Sequence, residues 1–331
     1  MIASVAFRNF KALRHAQVAL APFNLVIGPN GSGKTSLIQA ILRLRSLARL
    51  PLMEHPEQQA LRAGGPEMEF RFNAPHDAIT ARLACVSENI CDLLAVQPAG
   101  AAGWPDLRAR IATVRAFFFD HYAMPQPARR SEGGELAGNG GNLAAVLAAL
   151  KDRDPAVFTR LQAELTRIVP EFTDIVFLDR PDGTVELALH LEEEPQPVTA
   201  ENLSQGTLYL LAMLALAFSP SPPAVVCIEE IDRGVHPRML REVRDLLYRL
   251  SYPAEFGEDR APVQVIATTH SPYLLDLFRD HPEEVIIAHK HGREARFERL
   301  ADRPDLPDLL AEGTLGDMWF SGILGGVPEE P

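Results

Sequence analysis

The sequence predicts an α/β fold, a parallel or mixed sheet covered by helices. Three observations carry this expectation. An apolar run, Phe23-Asn24-Leu25-Val26-Ile27, leads into Gly28-Pro29-Asn30-Gly31-Ser32-Gly33-Lys34-Thr35, and a helix-like stretch follows from Ser36 to about Leu47. Ala224–Ile228 and Val263–Thr268 are short and apolar, as buried strands are. From Leu203 onward strand-like and helix-like segments alternate, the rhythm of parallel strands joined by helices.

Taken in order, residues 1–27 read as short strands, with Val5, Phe7 and Phe10 alternating around Arg8-Asn9. In the helix after the glycine-rich loop, Leu37, Ile38, Ile41, Leu42 and Leu44 form one apolar face. Arg43, Arg45 and Arg49 fall on its other side, where a solvated charge run is expected. Residues 51–66 read as a loop or frayed helix, Met68–Phe72 and Ile79–Val86 as strands, 97–106 as a loop, and Val114–Phe119 as a strand. A Pro- and Gly-rich segment follows up to Gly141, then a helix from Asn142 to Leu150. The next helix opens with Asp154 as cap and Pro155 in its first turn. Phe172–Leu178 and Thr184–Leu191 flank Arg180-Pro181-Asp182-Gly183 as a hairpin. Thr207–Phe218 is apolar all round and reads as a buried helix, whereas Pro237–Leu250 is amphipathic. Tyr273–Phe278 reads as a short helix and Glu284–Ala288 as a further strand.

The loop at 28–35 carries the clearest chemistry. Gly28, Gly31 and Gly33 permit the backbone angles that turn successive N–H groups toward a phosphate. The helix behind adds its positive end. Lys34 is placed to reach β- and γ-phosphates, and Thr35 to offer its hydroxyl to a magnesium ion. The pattern implies a nucleoside triphosphate.

Composition narrows the rest. The 331 residues are 47% hydrophobic and 23% charged, the profile of an ordinary globular chain. A formal net charge of -12 disfavours a surface that grips nucleic-acid backbone throughout, but leaves room for a local basic patch. Cys85, Cys91 and Cys227 match no metal spacing and are expected as reduced thiols, Cys227 in the core. The opening residues lack a basic region followed by an apolar one, so no signal peptide is expected, and the longest apolar stretch, Leu208 to Phe218, is too short for a bilayer. A cytoplasmic protein without membrane contact is expected.

Further motifs accompany the loop. Val225-Val226-Cys227-Ile228-Glu229-Glu230 is an apolar strand ending in two carboxylates, at the sheet edge where α/β folds bind ligands. Glu229 is the candidate for the magnesium shell and Glu230 for polarising the attacking water, the pair being tolerated beside a triphosphate through the cation. Thr268-Thr269-His270-Ser271-Pro272 ends another strand, and His270 is a candidate donor to the γ-phosphate. Asn202-Leu203-Ser204-Gln205-Gly206-Thr207 opens the buried helix as an anion-binding end or a plain N-cap. Ile231-Asp232-Arg233-Gly234-Val235-His236-Pro237 is a tight loop after the carboxylates.

In this order the motifs resemble the ABC-type ATPases of the AAA class. They resemble most the branch of RecF, the chromosome-maintenance ATPases and the overcoming-lysogenization-defect nucleases. Arg8-Asn9-Phe10-Lys11, the loop, Leu203-Ser204-Gln205-Gly206-Thr207, Cys227-Ile228-Glu229-Glu230 and Thr269-His270-Ser271-Pro272 look like that branch's opening, Walker A, signature, Walker B and switch motifs. Gly234-Val235-His236-Pro237 is similar to the Gly-Leu-His-Pro of the small RecF-like ATPases. The resemblance implies a P-loop NTPase head with a mixed sheet flanked by helices, an antiparallel β subdomain and a helical lobe. It implies one head over 1–331, with lobe I at about 1–125 plus 220–300, a signature lobe at about 126–219 and a tail at 301–331.

By resemblance, ATP and Mg²⁺ are the cofactors, and two copies sandwich two nucleotides. Asn30, Gly31, Ser32, Gly33, Lys34, Thr35 and Ser36 would hold ATP, with Ser204 and Gly206 capping it from the other copy. Thr35 and Glu229 would hold the metal; Glu230, His270 and Lys34 would be catalytic. Three departures stand out. Glu229 occupies the usual Asp position, Gln205 replaces the first signature Gly, and His236 replaces the Asp of transporter ATPases. Gln97 and Gln126 are the candidates for the glutamine loop. The interval between Thr35 and Ser204 is too short for a hinge-forming coiled coil at roughly 1.5 Å per residue. No fused nuclease is expected after the core, and the apolar tail from Gly316 to Gly326 is expected to dock on its own head or a partner.

The first expectation is therefore an ATP-driven dimeric switch controlling a separate effector, such as a Toprim-like or HNH-type nuclease in phage defence. The alternative is a RecF-like repair ATPase that binds DNA in its ATP state, with Arg129-Arg130 as phosphate contacts. A transporter motor is disfavoured by Arg8-Asn9-Phe10 and His236, and a small-molecule kinase by Ser204-Gln205-Gly206 and His270.

Overall fold

The structure, a computed structural model, describes residues 1–50, 65–292 and 294–325. The loop or frayed helix expected over 51–66 lies almost wholly outside the described residues. In chain order the elements begin with β1 (Ile2–Phe10), β2 (Leu13–Ala19), β3 (Phe23–Ile27), α1 (Lys34–Ala48), β4 (Glu67–Phe72), β5 (Thr80–Ser87), β6 (Ile90–Gln97), α2 (Trp104–Ala112) and β7 (Arg115–Phe117). There follow β8 (Ala128–Arg129), α3 (Leu143–Arg153), α4 (Pro155–Ile168), β9 (Phe172–Asp179), β10 (Thr184–Leu191), β11 (Val198–Thr199) and α5 (Gln205–Ala217). The last stretch holds β12 (Val225–Ile228), α6 (Leu240–Ser251), β13 (Gln264–Thr269), α7 (Pro272–Asp276), β14 (Val285–His291), β15 (Glu294–Arg299), α8 (Leu306–Glu312) and α9 (Leu315–Phe320). No described helix is long and apolar enough to cross a membrane.

The chain forms two compact units. The first comprises Met1–Ala116, Pro223–Ile231 and Arg260–Pro331. It contains an antiparallel sheet of order β2-β1-β4-β5-β6 and a mixed sheet of order β15-β14-β3-β13-β12-β7. In the mixed sheet β12, β13, β3 and β14 run parallel, and β15 pairs antiparallel with β14. The central strands β3, β12 and β13 are buried at every residue, which explains their unbroken apolar runs. Helix α1 buries Leu37, Ile38, Ile41 and Leu44 in one core with Phe10, Leu13 and Phe70 of the antiparallel sheet and Val26 and Ile266 of the mixed one. Burying four such side chains contributes on the order of 1.5–3 kcal/mol each, which fixes the helix whose start carries the phosphate loop.

Two expectations are corrected in this unit. Cys85 and Cys91 are not separate thiols; they form a disulfide, because the β5–β6 hairpin sets them opposite each other. Cys227 is free and buried, and burial pushes its thiol up to about 12. Arg43 and Arg45 are half-buried rather than part of a solvated charge run, whereas Arg49 is exposed. Arg43 lies over the Phe10 ring at 5.0 Å, Arg45 donates to Val114 O at 3.0 Å, and Arg49 donates to Ala112 O at 2.6 Å. Arg45 and Arg49 tie α1 to neighbouring backbone and Arg43 ties it to the Phe10 side chain, and burial lowers Arg43 and Arg45 from the usual guanidinium range. The apolar tail packs on its own unit: Gly316 N donates to Asp276 Oδ1 at 2.6 Å, joining α9 to α7, and Leu324 is buried.

The second unit comprises Phe117–Pro222 and Asp232–Asp259. Its hairpin pairs β9 with β10 through the turn at 180–183, where Gly183 has φ 80°. Asp154 caps α4, accepting from Val157 N at 3.1 Å with Pro155 in the first turn. Helix α5 is buried along nearly its whole circumference, and its Tyr209 hydroxyl donates to Phe119 O at 2.6 Å. Helix α6 turns Val243, Leu246, Leu247 and Leu250 inward.

Candidate functional site

The phosphate loop lies wholly in the first unit. Strand β3 ends at Ile27, and α1 begins after Gly33, which has φ 95°. No side chain caps the first turn of α1, and no acidic residue occupies it. A helix start leaves about four N–H groups without partners, and here no side chain among the described residues caps them. Ser32 Oγ adds a buried polar atom without a hydrogen-bond partner. An anion in the loop is what this arrangement lacks, so the residues fit a bound phosphate chain. Gly28 is required by space, facing backbone, and Gly33 by its angle, with the end of the Leu13 side chain close beside it. A Cβ at Gly28 would lie 2.4 Å from Ala288 O, and one at Gly33 2.9 Å from Leu13 Cδ2. Asn30 and Gly31 are exposed at the loop tip, and Ser36 is half-buried in the first turn of α1.

Lys34 is folded back over the loop. Its Nζ donates to Gly28 O at 2.6 Å and Pro29 O at 3.1 Å. Burial lowers its ammonium to about 8, opposed by the nearby carboxylates of Glu230 and Glu229. The ammonium thus rests on backbone carbonyls at the position where phosphate oxygens would compete for it.

Thr35 Oγ1 donates to Glu229 Oε2 at 2.8 Å. Two cis ligands of an octahedral magnesium ion, with bonds of about 2.0–2.1 Å, stand roughly 2.9 Å apart. The extra methylene of Glu229 relative to Asp therefore still delivers its carboxylate to the hydroxyl. Among the described residues no group of three His, Cys, Asp or Glu could hold a metal. A magnesium site with one or two protein ligands, completed by phosphates and water, fits that inventory.

Glu230 has φ 51°, a left-handed conformation that costs a non-glycine residue about 1–2 kcal/mol. Two hydrogen bonds impose it: Glu230 N donates to Thr268 Oγ1 and Ile231 N to Thr268 O, both at 3.0 Å. The backbone turns out of β12 there, directly after Glu229. Strand β13 pairs with both β12 and β3, with Ile228 opposite Ala267 and Thr269 opposite Ile27. Exposed His270 therefore leaves the sheet at the same edge as Gly28 and the two glutamates. Ser271 caps α7, accepting from Leu274 N at 3.3 Å. Thr268 as the brace of Glu230 was missed in the sequence, where it is one of two threonines at a strand end.

In the second unit Ser204 is exposed and caps α5, its Oγ accepting from Thr207 N at 3.1 Å. Gly206 is buried, and a Cβ there would lie 2.9 Å from Gly234 O. Gly234 has φ 68°, and a Cβ on it would lie 2.4 Å from Gln205 Cδ. Gln205, standing for the usual glycine, thus packs against the loop after Glu230. His236 Nδ1 accepts from Arg238 N at 3.2 Å. Gln97 ends β6 and Gln126 donates to Tyr122 O at 3.3 Å. Arg130 pairs with Asp152 and Asp179, each at 2.9 Å.

Residues 23–276 match the family described as "AAA domain, putative AbiEii toxin, Type IV TA system". Over 38 residues the chain is 53% identical to the DNA replication and repair protein RecF of Erwinia tasmaniensis, a match covering 11% of this chain and about a tenth (10%) of that protein. Among solved structures, an Smc head bound to the C-winged helix domain of ScpA aligns with TM-score 0.60 at 14% identity, covering 90% of this chain and 96% of that one. The Pyrococcus furiosus Smc head with an extended coiled coil, bound to the C-terminal domain of ScpA, aligns with TM-score 0.60 at 14% identity over 94% of this chain and 100% of that one. The SMC head from Thermotoga maritima aligns with TM-score 0.51 at 14% identity over 90% and 98%. The fold is thus that of an SMC head, a mixed-sheet P-loop NTPase domain of the ABC type. The chain belongs to this AAA-domain family, and its fold is that of the SMC heads.

Proposed function

We propose that the protein binds and hydrolyses Mg-ATP and works as an ATP-closed homodimeric switch. The observation that carries this reading is the cluster at one sheet edge: Lys34 over the loop, Thr35 against Glu229, and Glu230 held left-handed by Thr268. Lys34 would bind the β- and γ-phosphates. Thr35 and Glu229 would hold a magnesium ion, whose charge would offset that of the phosphates. Glu230 would orient a water and take its proton as it attacks the γ-phosphorus, and His270 would donate to a γ-phosphate oxygen. Exposed Ser204, at the start of α5, would cap the γ-phosphate of a second copy, with Gly206 giving the close backbone approach. ATP bridges two copies only when they close, so hydrolysis would open them.

A mixing experiment tests the shared site. Lys34→Ala and Ser204→Arg should each abolish hydrolysis alone. Mixed, they should recover a fraction of wild-type rate, because a heterodimer keeps one complete site. No recovery, with both variants folded and dimerising, contradicts the sandwich.

The family description, with its reference to a toxin and a toxin–antitoxin system, supports a role in defence. In that role the switch would control a separate effector, with a Toprim-like or HNH-type nuclease as the candidate. Isolation of the protein with its native operon partners, in the presence of ATP, tests this. The short likeness to RecF supports a second reading, DNA binding in the ATP state. It predicts ATP-dependent binding that weakens steeply with salt.

A further inference from the structure

The β14–β15 hairpin forms a wall along the phosphate loop. Ile287 of β14 stands opposite Ile27 of β3, and β14 then runs on past the end of β3. Ala288 thereby meets Gly28, whose built Cβ would touch both its O and its Cβ, the latter at 2.9 Å. Two residues on, Lys290 reaches across Gly31: a Cβ there would lie 3.4 Å from Nζ and 3.9 Å from Cδ and Cε. Ala295 of β15 returns to Gly33, at 3.6 Å from its built Cβ, and its N donates to Ala12 O at 2.8 Å. The wall is thus anchored on both sides of Lys290, so the lysine stem lies on a fixed track over a glycine that leaves it room.

The end of that stem has no partner among the described residues. Lys290 is exposed, and its ammonium makes no hydrogen bond or ion pair among the described residues. Acidic residues outnumber basic ones 44 to 32 in this chain, so pairing partners are not scarce. A cation held against a phosphate loop, and left unpaired there, has an anion in the loop as its natural complement. Strand order fixes which part of that anion. β14 lies on one side of β3, whereas β13 and β12, with His270, Glu229 and Glu230 at their ends, lie on the other. The terminal phosphate and its metal belong with the carboxylates.

We propose that Lys290 is a second cation of the nucleotide site, contacting the phosphate chain on its nucleoside-proximal flank. The proposal rests on the reading of this loop as an ATP site. It makes Lys290 a determinant of di- and triphosphate binding that is indifferent to the γ-phosphate. ATP and ADP then lose equally when it is removed.

Calorimetric titration of the full chain with Mg-ATP and with Mg-ADP tests this, using wild type, Lys290→Met, Lys290→Arg and Lys34→Ala. Lys290→Met should weaken both nucleotides about tenfold, the size of one charge-assisted contact at an exposed rim, with the ATP to ADP ratio kept within about twofold. Lys290→Arg should restore most of the loss. Unchanged affinities in Lys290→Met, or a loss confined to ATP, overturn the proposal. If Lys34→Ala abolishes binding while Lys290→Met does not alter it, the nucleotide site stands and only Lys290 is wrongly placed. If wild type binds neither nucleotide, the ATPase reading itself falls. Lys290 is exposed, so equal melting temperatures are expected, and the charge-keeping Arg variant separates a fold defect from a lost contact.

Discussion

Thr35 and Glu229 lie 194 residues apart in the chain, and their side chains share a hydrogen bond of 2.8 Å. Parallel pairing of β3 and β12 with β13 produces this meeting, since it brings both strand ends to one edge. The hydroxyl and the carboxylate are hard oxygen donors at the spacing of two cis ligands of magnesium. Glu229→Gln keeps the shape and removes the charge. It should raise the Mg²⁺ concentration for half-maximal ATP hydrolysis about tenfold or more. A metal titration of ATPase rate measures this, and an unchanged midpoint would remove Glu229 from the metal site.

Thr268 holds Glu230 in place through its hydroxyl and its carbonyl. Thr268→Val keeps the volume but leaves the Glu230 N–H without its acceptor, at a cost of about 1–3 kcal/mol. The left-handed turn should relax. Steady-state kinetics should then show kcat falling about tenfold, while ATP affinity stays within about twofold. Thr268→Ser should recover most of the rate. A Thr268→Val enzyme with normal kcat would mean that the bend at Glu230 does not matter to turnover.

Burial lowers Lys34 to about 8 in the nucleotide-free chain. Phosphate would favour its charged form, so binding above that pH draws in a proton. ATP affinity should be level below about pH 8 and fall by up to about tenfold per unit above it. Titrations in buffers of different ionisation enthalpy at about pH 8.5 should reveal the proton uptake. Lys34→Arg should flatten the profile, since arginine stays charged. Stability moves the other way. Between about pH 8 and the ordinary lysine value of 10.5 the unfolded chain binds more protons than the folded one. This group therefore stabilises the nucleotide-free fold as pH rises through that window. A pH-independent ATP affinity from 7 to 9.5 would contradict the buried lysine.

Much of the candidate site's placement was legible because its motifs are local. The loop at 28–35, the carboxylates after Ile228 and the histidine after Thr269 each follow a fully buried strand, and apolar runs announce such strands. Asp154 and Ser204 were legible as caps for the same reason, each bonding three residues ahead. What stayed hidden depends on contacts between distant segments. Strand β6 is only half-buried and follows the turn Glu88-Asn89, which has no glycine, so neither periodicity nor turn chemistry marks it. The Cys85–Cys91 pairing was hidden with it. The arginines of α1 look like a solvated face until Val114 and Ala112 are brought beside them. Lys290 shows nothing in sequence, because only the register of β14 on β3 sets it over Gly31.

The account turns on Glu230, bent out of β12 beside Lys34 and Glu229. The most direct test is Glu230→Gln, assayed for single-turnover ATP hydrolysis and for mass in solution with and without Mg-ATP. Gln keeps the side-chain shape and the backbone bonds to Thr268 but cannot take a proton. The variant should bind ATP as wild type does, cleave it at least about a hundredfold more slowly, and accumulate as a dimer only with ATP. Hydrolysis at the wild-type rate, or a mass unmoved by ATP, would contradict Glu230 as the base and the closed pair as the ATP state.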